Sequence, residues 1–258
     1  MKIGFIGMGN MAGAICQGII KSGFIKGENV YSFDIDQTKL ENMQKAYGIQ
    51  LCQNENDLVK SSDVVIMAVK PQIIESVIDK VKEDIKQKTI ISIVAGYSHE
   101  KYEQLLPHTH HLTVMPNTPA HVLQGMTLFE KDNTLNEEEF AFAKSLFESI
   151  GEVCVIENYQ MVAGGALTGC GPAFVYMFIE ALCDGAVLNG LPRDKAYQLA
   201  SQMVLGAAQM VKETKLHPGV LKDQVCSPGG ITIKGVKALE DNKFRNAVIE
   251  AINQSKWV

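Results

Sequence analysis

Two short stretches of this 258-residue chain combine residue types able to bind and position a small molecule. The first is Gly7-Met8-Gly9-Asn10-Met11-Ala12, which follows an apolar run at 2–6 and leads into a segment with small residues at Ala14 and Gly18. A G-x-G-x-x-A turn between strand and helix is a dinucleotide fingerprint. Gly7 permits the tight turn, Gly9 lets the main chain approach a pyrophosphate, and Ala12 keeps the helix close to the sheet. The helix amino terminus, at Asn10 and Met11, turns N–H groups toward the phosphates. The second stretch is Ser227-Pro228-Gly229-Gly230-Ile231-Thr232, a turn before an amphipathic helix. It exposes the N–H groups of Gly229, Gly230 and Ile231 in a concavity suited to a carboxylate, with the Thr232 hydroxyl beside it. A plain interhelical turn capped by Ser227 would read the same way locally.

Asp34 ends the second apolar run, where an acid accepts hydrogen bonds from adenosine ribose hydroxyls and repels a 2'-phosphate. With Asp36 close by and no neighbouring arginine, the charge leans toward NADH, while Lys39 or Ser32 could still receive the phosphate of NADPH. Asp36 itself reads as the N-cap of a helix. Two further strand ends share the same edge of the sheet: Ala68-Val69-Lys70-Pro71 and Met115-Pro116-Asn117-Thr118-Pro119. Asn117 and Thr118, fixed between prolines, are suited to a nicotinamide amide or a substrate, or simply to a rigid loop.

Other features argue for plainer roles. A net charge of -5 provides no basic face for nucleic acid. The six cysteines lack metal or redox spacing and read as buried thiols in a reducing compartment, so no metal is expected. His108, His110 and His111 read as surface histidines, and Glu137, Glu138 and Glu139 as solvated residues opening a helix. No uninterrupted apolar run reaches the ~18 residues of a membrane span, and Glu180 and Asp184 interrupt the most apolar stretch, 174–188. A cytoplasmic protein without a membrane partner is expected.

The elements that position these residues fall into two textures. Short β-branched runs at 2–6, 30–34, 64–69, 89–94 and 111–115 alternate with amphipathic segments such as 36–46 and 72–82, predicting a parallel sheet wound by helices. A last strand pair, 126–130 and 152–156, brackets an acidic helix at 136–149. From residue 158 onward only helices are expected, including a hairpin of 172–188 and 193–212 divided by Asn189-Gly190-Leu191-Pro192. Those helices are apolar around too much of their circumference for solvent, which predicts burial against a second copy of the chain. Phe174, Tyr176, Met177 and Phe178 belong to that core. The fold class is α/β: an N-terminal Rossmann-type dinucleotide-binding domain, 1–157, plus an all-α C-terminal dimerisation and substrate domain, 158–258.

Taken in order and spacing, the motifs above, with Gly169-Cys170-Gly171-Pro172-Ala173 and Gly190-Leu191-Pro192, resemble pyrroline-5-carboxylate reductases over nearly the whole chain. The resemblance implies reduction of the cyclic imine L-1-pyrroline-5-carboxylate to L-proline by hydride from NADPH or NADH. It further implies a homodimer with sites at the dimer interface, larger rings of dimers in some members, and a ribose contact from Asn54. Ser227, Gly229 and Gly230 would hold the substrate carboxylate while Thr232 bonds the ring nitrogen. No strong general acid stands in these motifs, since a protonated iminium already carries the proton that the product keeps. Two positions depart from the family pattern: Asp34, where many members favour a 2'-phosphate, and Lys215, where some relatives have an acid. The related β-hydroxyacid dehydrogenases place a lysine six residues after the first glycine of their G-x-G motif, where this chain has Val175, which removes their acid–base group. A nucleotide sensor that kept the fold without the chemistry is the remaining rival.

Overall fold

Among the described residues, 1–256 of a computed structural model, the β-branched runs form eight strands and the amphipathic segments twelve α-helices. The strands are β1 (Ile3–Ile6), β2 (Val30–Phe33), β3 (Gln50–Leu51), β4 (Val64–Met67), β5 (Thr89–Ser92), β6 (His110–Met115), β7 (Gly125–Glu130) and β8 (Gly151–Ile156). Between them run α1 (Asn10–Lys21), α2 (Gln37–Tyr47), α3 (Glu55–Ser61), α4 (Ile74–Val81), α5 (His99–Leu105) and α6 (Glu137–Glu148). Then follow α7 (Met161–Gly165), α8 (Gly171–Leu188), α9 (Arg193–Thr214), α10 (Pro218–Val225), α11 (Ile231–Asp241) and α12 (Phe244–Gln254).

The eight strands make one sheet in the order β3-β2-β1-β4-β5-β6-β7-β8. Its first six strands have the order of a doubly wound dinucleotide fold, which reverses direction between β1 and β4 and so opens a crevice at their carboxyl ends. Apolar side chains cover both faces. Ile15, Ile19, Leu40 and Phe147 pack on one face, and Leu58, Ile74, Ile78 and Tyr102 on the other. The sheet is not wholly parallel, because β6 and β7 pair antiparallel before β7 and β8 resume parallel pairing. Residue periodicity carries no strand direction, so the runs alone could not reveal this.

The chain divides into two compact units, Met1–Gly169 and Cys170–Ser255. The first runs past 157 because α7 packs against β7. Positions 257 and 258 of the expected C-terminal domain lie outside the described residues. In the second unit the expected hairpin is α8 and α9, and no strand occurs among its described residues. Its helices bury little by themselves: only Cys183 of α8 and Ala196 of α9 are fully enclosed, while Tyr176, Met177, Leu199 and Met203 lie exposed.

Several expectations need correction. The helical run 158–188, 31 residues, is long and apolar enough to cross a membrane, because α7, a π turn at Ala166–Cys170 and α8 join end to end and dilute Glu180 and Asp184. His111 is not on the surface: β6 begins at His110, so the next side chain points inward and is buried beside Tyr102 and His99. Glu139 is not merely solvated. It closes a capping box with Asn136 and accepts hydrogen bonds from Thr89 Oγ1 at 3.0 Å and His110 Nδ1 at 2.7 Å. Of the cysteines, Cys16, Cys52 and Cys183 are buried, whereas Cys154 is exposed and Cys170 and Cys226 are half-buried.

Candidate functional site

The crevice at the β1/β4 reversal is built around Gly7. Its φ of +96° suits glycine, its N–H donates to Phe33 O at 2.8 Å, and a Cβ there would stand 2.7 Å from Ala68 O. The turn is thereby tied to the carboxyl ends of both β2 and β4. Gly9 is the N-cap of α1 without any side-chain cap, and a Cβ on it would meet nothing within 4 Å. The N–H groups of Asn10, Met11 and Ala12 have no acceptor within the helix. Open space at the positive end of a 12-residue helix is the arrangement that receives a pyrophosphate. A cleft of about 550 Å³ adjoins it, lined among others by Met8, Gly9, Asn10, Lys39, Thr118 and His121. The last of these was not foreseen, and nothing in its sequence context points to it.

Beyond β2, Asp34 is fixed by two main-chain donors, Met8 N–H to Oδ2 at 2.5 Å and Asp36 N–H to Oδ1 at 2.8 Å. The carboxylate therefore braces the glycine turn from the carboxyl end of β2. Asp36 caps α2 through Lys39 N–H at 3.2 Å, as its position before the helix predicted, and Lys39 Nζ returns to Asp36 at 3.4 Å. Ser32 drops out as a phosphate ligand: the sheet buries it completely, and its hydroxyl points to Phe5 O at 3.4 Å. Ser32 lies with Val30 on the sealed face of β2, whereas Tyr31 and Phe33 on the other face are half-buried. Asn54 lies exposed at the start of α3, where its Oδ1 accepts the Asp57 N–H at 2.8 Å.

At the end of β4, Ala68 N–H bonds Ile6 O at 2.9 Å, Val69 is half-buried, and Lys70 and Pro71 project into solvent. The proline loop after β6 separates its two candidates. Thr118 is exposed and lines the cleft. Asn117 is buried, with Nδ2 donating to Thr168 O at 3.0 Å and Oδ1 accepting the Met126 N–H at 2.9 Å. One proton of Nδ2 and one lone pair of Oδ1 thus hold the loop to β7 and to the π turn, which fixes the backbone that carries Thr118. A Cβ on Gly18 would approach Ala120 O to 2.7 Å, so α1 and this loop touch directly.

A second, smaller cleft of about 240 Å³ opens beside α5, lined by Tyr97, Ser98, Lys101, Thr113, Glu130 and Asn158 among others. Glu130 is only 1% exposed and accepts the His99 N–H at 2.9 Å. Burial pushes its carboxyl up to about 7, helped by Glu100 and Asp132 and opposed by the His99 bond. Burial likewise holds His111 below the usual histidine value. The sequence carries one signal for this buried acid: Glu130 ends a strand whose other members are apolar or hydroxylic.

In the second unit, Gly229 adopts a φ of +70° and Gly230, the N-cap of α11, donates to Ser227 O at 3.0 Å. A Cβ on Gly230 would lie 2.4 Å from Ser227 Oγ and 3.1 Å from Ser227 O, so a side chain there would displace the serine hydroxyl. No side chain caps α11, and Ser227, Gly229 and Thr232 are all exposed. The loop therefore presents a serine hydroxyl, a threonine hydroxyl and first-turn N–H groups together, a set of donors for one anion. Among the described residues no cluster of His, Cys, Asp or Glu could hold a metal ion.

Compared with known proteins, residues 158–256 match the family described as pyrroline-5-carboxylate reductase dimerisation. Residues 2–96 match a family described as NADP oxidoreductase, coenzyme F420-dependent. The chain is 41% identical over 261 residues to a pyrroline-5-carboxylate reductase of Methanosarcina acetivorans, covering 99% of this chain and 97% of that protein. Against the same-named protein of Treponema pallidum the identity is 38% over 257 residues, 98% of this chain and 97% of the relative. The crystal structure of Plasmodium falciparum pyrroline carboxylate reductase with NADP bound is similar at a TM-score of 0.91 and 33% identity, covering 99% of this chain and 95% of that one.

Proposed function

The chain belongs to the pyrroline-5-carboxylate reductase family, and on that premise we propose that it reduces L-1-pyrroline-5-carboxylate to L-proline with NAD(P)H, the last step of proline biosynthesis. Bound reduced nicotinamide supplies the hydride, which is delivered to the carbon of the substrate's C=N bond. The fit of such a cofactor to this chain rests on Gly9, whose missing side chain leaves open space beside the uncapped amino terminus of α1. Gly7, Gly9, Asn10 and Met11 would hold the pyrophosphate, Asp34 and Asn54 the adenosine ribose, and Ala68, Val69, Lys70, Pro71 and Thr118 the nicotinamide side. Asn117 would serve by positioning Thr118.

The single observation that carries the substrate assignment is the exposed donor set at Ser227, Gly229 and Thr232 beside the uncapped amino terminus of α11, in a turn that Gly230 holds by donating its N–H to Ser227 O. These groups would take the substrate carboxylate, with the Thr232 hydroxyl bonding the ring nitrogen. The iminium already carries the proton that the amine keeps, so the residues' work is orientation and exclusion of water. Residues 1–157 would thus serve the cofactor and 158–258 the substrate and self-association. The family's dimerisation region makes the protein a homo-oligomer; we read it as a cytoplasmic homodimer, with rings of dimers as the larger assembly. The apolar run 158–188 then faces a second copy rather than lipid.

Consumption of NADH and NADPH with pyrroline-5-carboxylate tests the reading, for wild type and Thr232→Ala. Loss of one oriented hydroxyl is expected to lower kcat/KM by about ten- to a hundredfold while nucleotide affinity holds. Tight nucleotide binding by the wild type without imine reduction would favour the sensor instead.

A further inference from the structure

We propose that Asp34 makes this chain an NADH-preferring enzyme, in contrast to the NADP-bound relative from Plasmodium falciparum. The inference rests on the reading of the first unit as a nicotinamide-dinucleotide site and adds which of the two nucleotides it accepts. They differ by one phosphate on the adenosine 2'-oxygen, so discrimination lies with the groups that follow β2.

Four observations decide the charge there. The Asp34 carboxylate is clamped at both oxygens, by Met8 N–H and Asp36 N–H, so it cannot swing aside for an incoming anion without releasing the glycine turn. Each oxygen retains acceptor capacity beyond its main-chain bond, enough to receive ribose hydroxyls. Lys39, the cation nearest in sequence, pairs with Asp36 at 3.4 Å, so Asp34, Asp36 and Lys39 together leave a net negative charge. The neighbouring positions offer nothing in compensation: Ile35 is 88% exposed and apolar, and Ser32 is sealed in the sheet. Finally, both arginines of the chain, Arg193 and Arg245, belong to the second unit, so Met1–Gly169 contains no guanidinium to receive a phosphate in bidentate fashion. A hydroxyl is welcome at such a site and a phosphate dianion is repelled.

Isothermal titration of NADH and NADPH into the intact oligomer, without substrate, measures the preference independently of turnover. Wild type is expected to bind NADH at least about tenfold more tightly, and added salt is expected to narrow the ratio, since screening relieves the repulsion. Asp34→Asn should reduce the ratio, chiefly by improving NADPH relative to NADH. Ile35→Arg supplies a cation at an exposed position without touching either clamp on Asp34, and should raise NADPH affinity by about tenfold. Equal or tighter binding of NADPH by wild type overturns the inference, as does an unchanged ratio in both variants, which would leave Asp34 as a brace alone. Binding of neither nucleotide overturns it together with the reading beneath it. NADH preference without imine reduction would sink only that reading and leave Asp34 as the selector.

Discussion

Glu130 shows how one buried side chain couples the fold to pH. Its carboxyl, ordinarily near 4.5, is pushed to about 7 because burial penalises the charged form more than the His99 N–H rewards it. Since the folded value lies above the unfolded one, the protonated group contributes stability that is complete below about pH 4.5 and is lost as pH rises through 7. The span corresponds to at most about 3 kcal/mol. Glu130→Gln keeps an acceptor for His99 and removes the titration. The variant should therefore gain stability relative to wild type as pH rises from 5 to 8, by up to that amount, in urea melts at each pH. Parallel curves at all pH values would assign the effect to other groups. Cys16 has a similar cause and a different consequence: burial pushes its thiol up to about 12, which makes it core rather than nucleophile.

Among the elements, legibility followed the chemistry that each signal carries. The glycine turn and Asp36 were readable because backbone geometry and capping demand particular residue types at particular offsets. Strand β3, just Gln50–Leu51, is too short and polar to leave a pattern. Asn117 shows what the pattern withholds. Its type and its place between prolines at a ligand-facing strand end suit a cofactor contact, yet only packing reveals that the amide also ties the loop to Met126 and Thr168. Sequence gives what a side chain can bond, and its partner fifty residues away decides what it does bond. Asn117→Ala leaves the Met126 N–H and the Thr168 carbonyl without their partner, and is expected to cost about 1–3 kcal/mol of stability. Thermal unfolding should fall by several degrees, with nucleotide affinity changing little. A large rise in the nucleotide Kd at unchanged Tm would restore the direct contact.

For the whole molecule, the two units follow different rules of burial. In Met1–Gly169 helices cover both faces of the sheet, and Phe5, Ile66, Leu58 and Phe147 are fully enclosed within one chain. In Cys170–Ser255, α11 and α12 bury no residue at all, and α8 and α9 bury one each. Apolar surface on that scale is unfavourable in water, and the match of 158–256 to a dimerisation family points to a homo-oligomer. Glu180 and Asp184 lie within the same run, the latter paired with Arg193. Met177, 68% exposed on α8, tests this. If a second copy covers α8, Met177→Glu places an unpaired carboxylate in that contact, at an expected cost on the order of several kcal/mol. The dissociation constant of the oligomer should rise more than about a hundredfold, seen by light scattering as a shift toward the single chain, with imine reduction lost alongside. Nucleotide binding by the first unit should survive, because its clamp of Gly7, Met8 and Asp34 lies wholly within Met1–Gly169. A wild-type protein that is already monomeric at micromolar concentration, or a variant that assembles normally, would mean that these helices are covered in some other way.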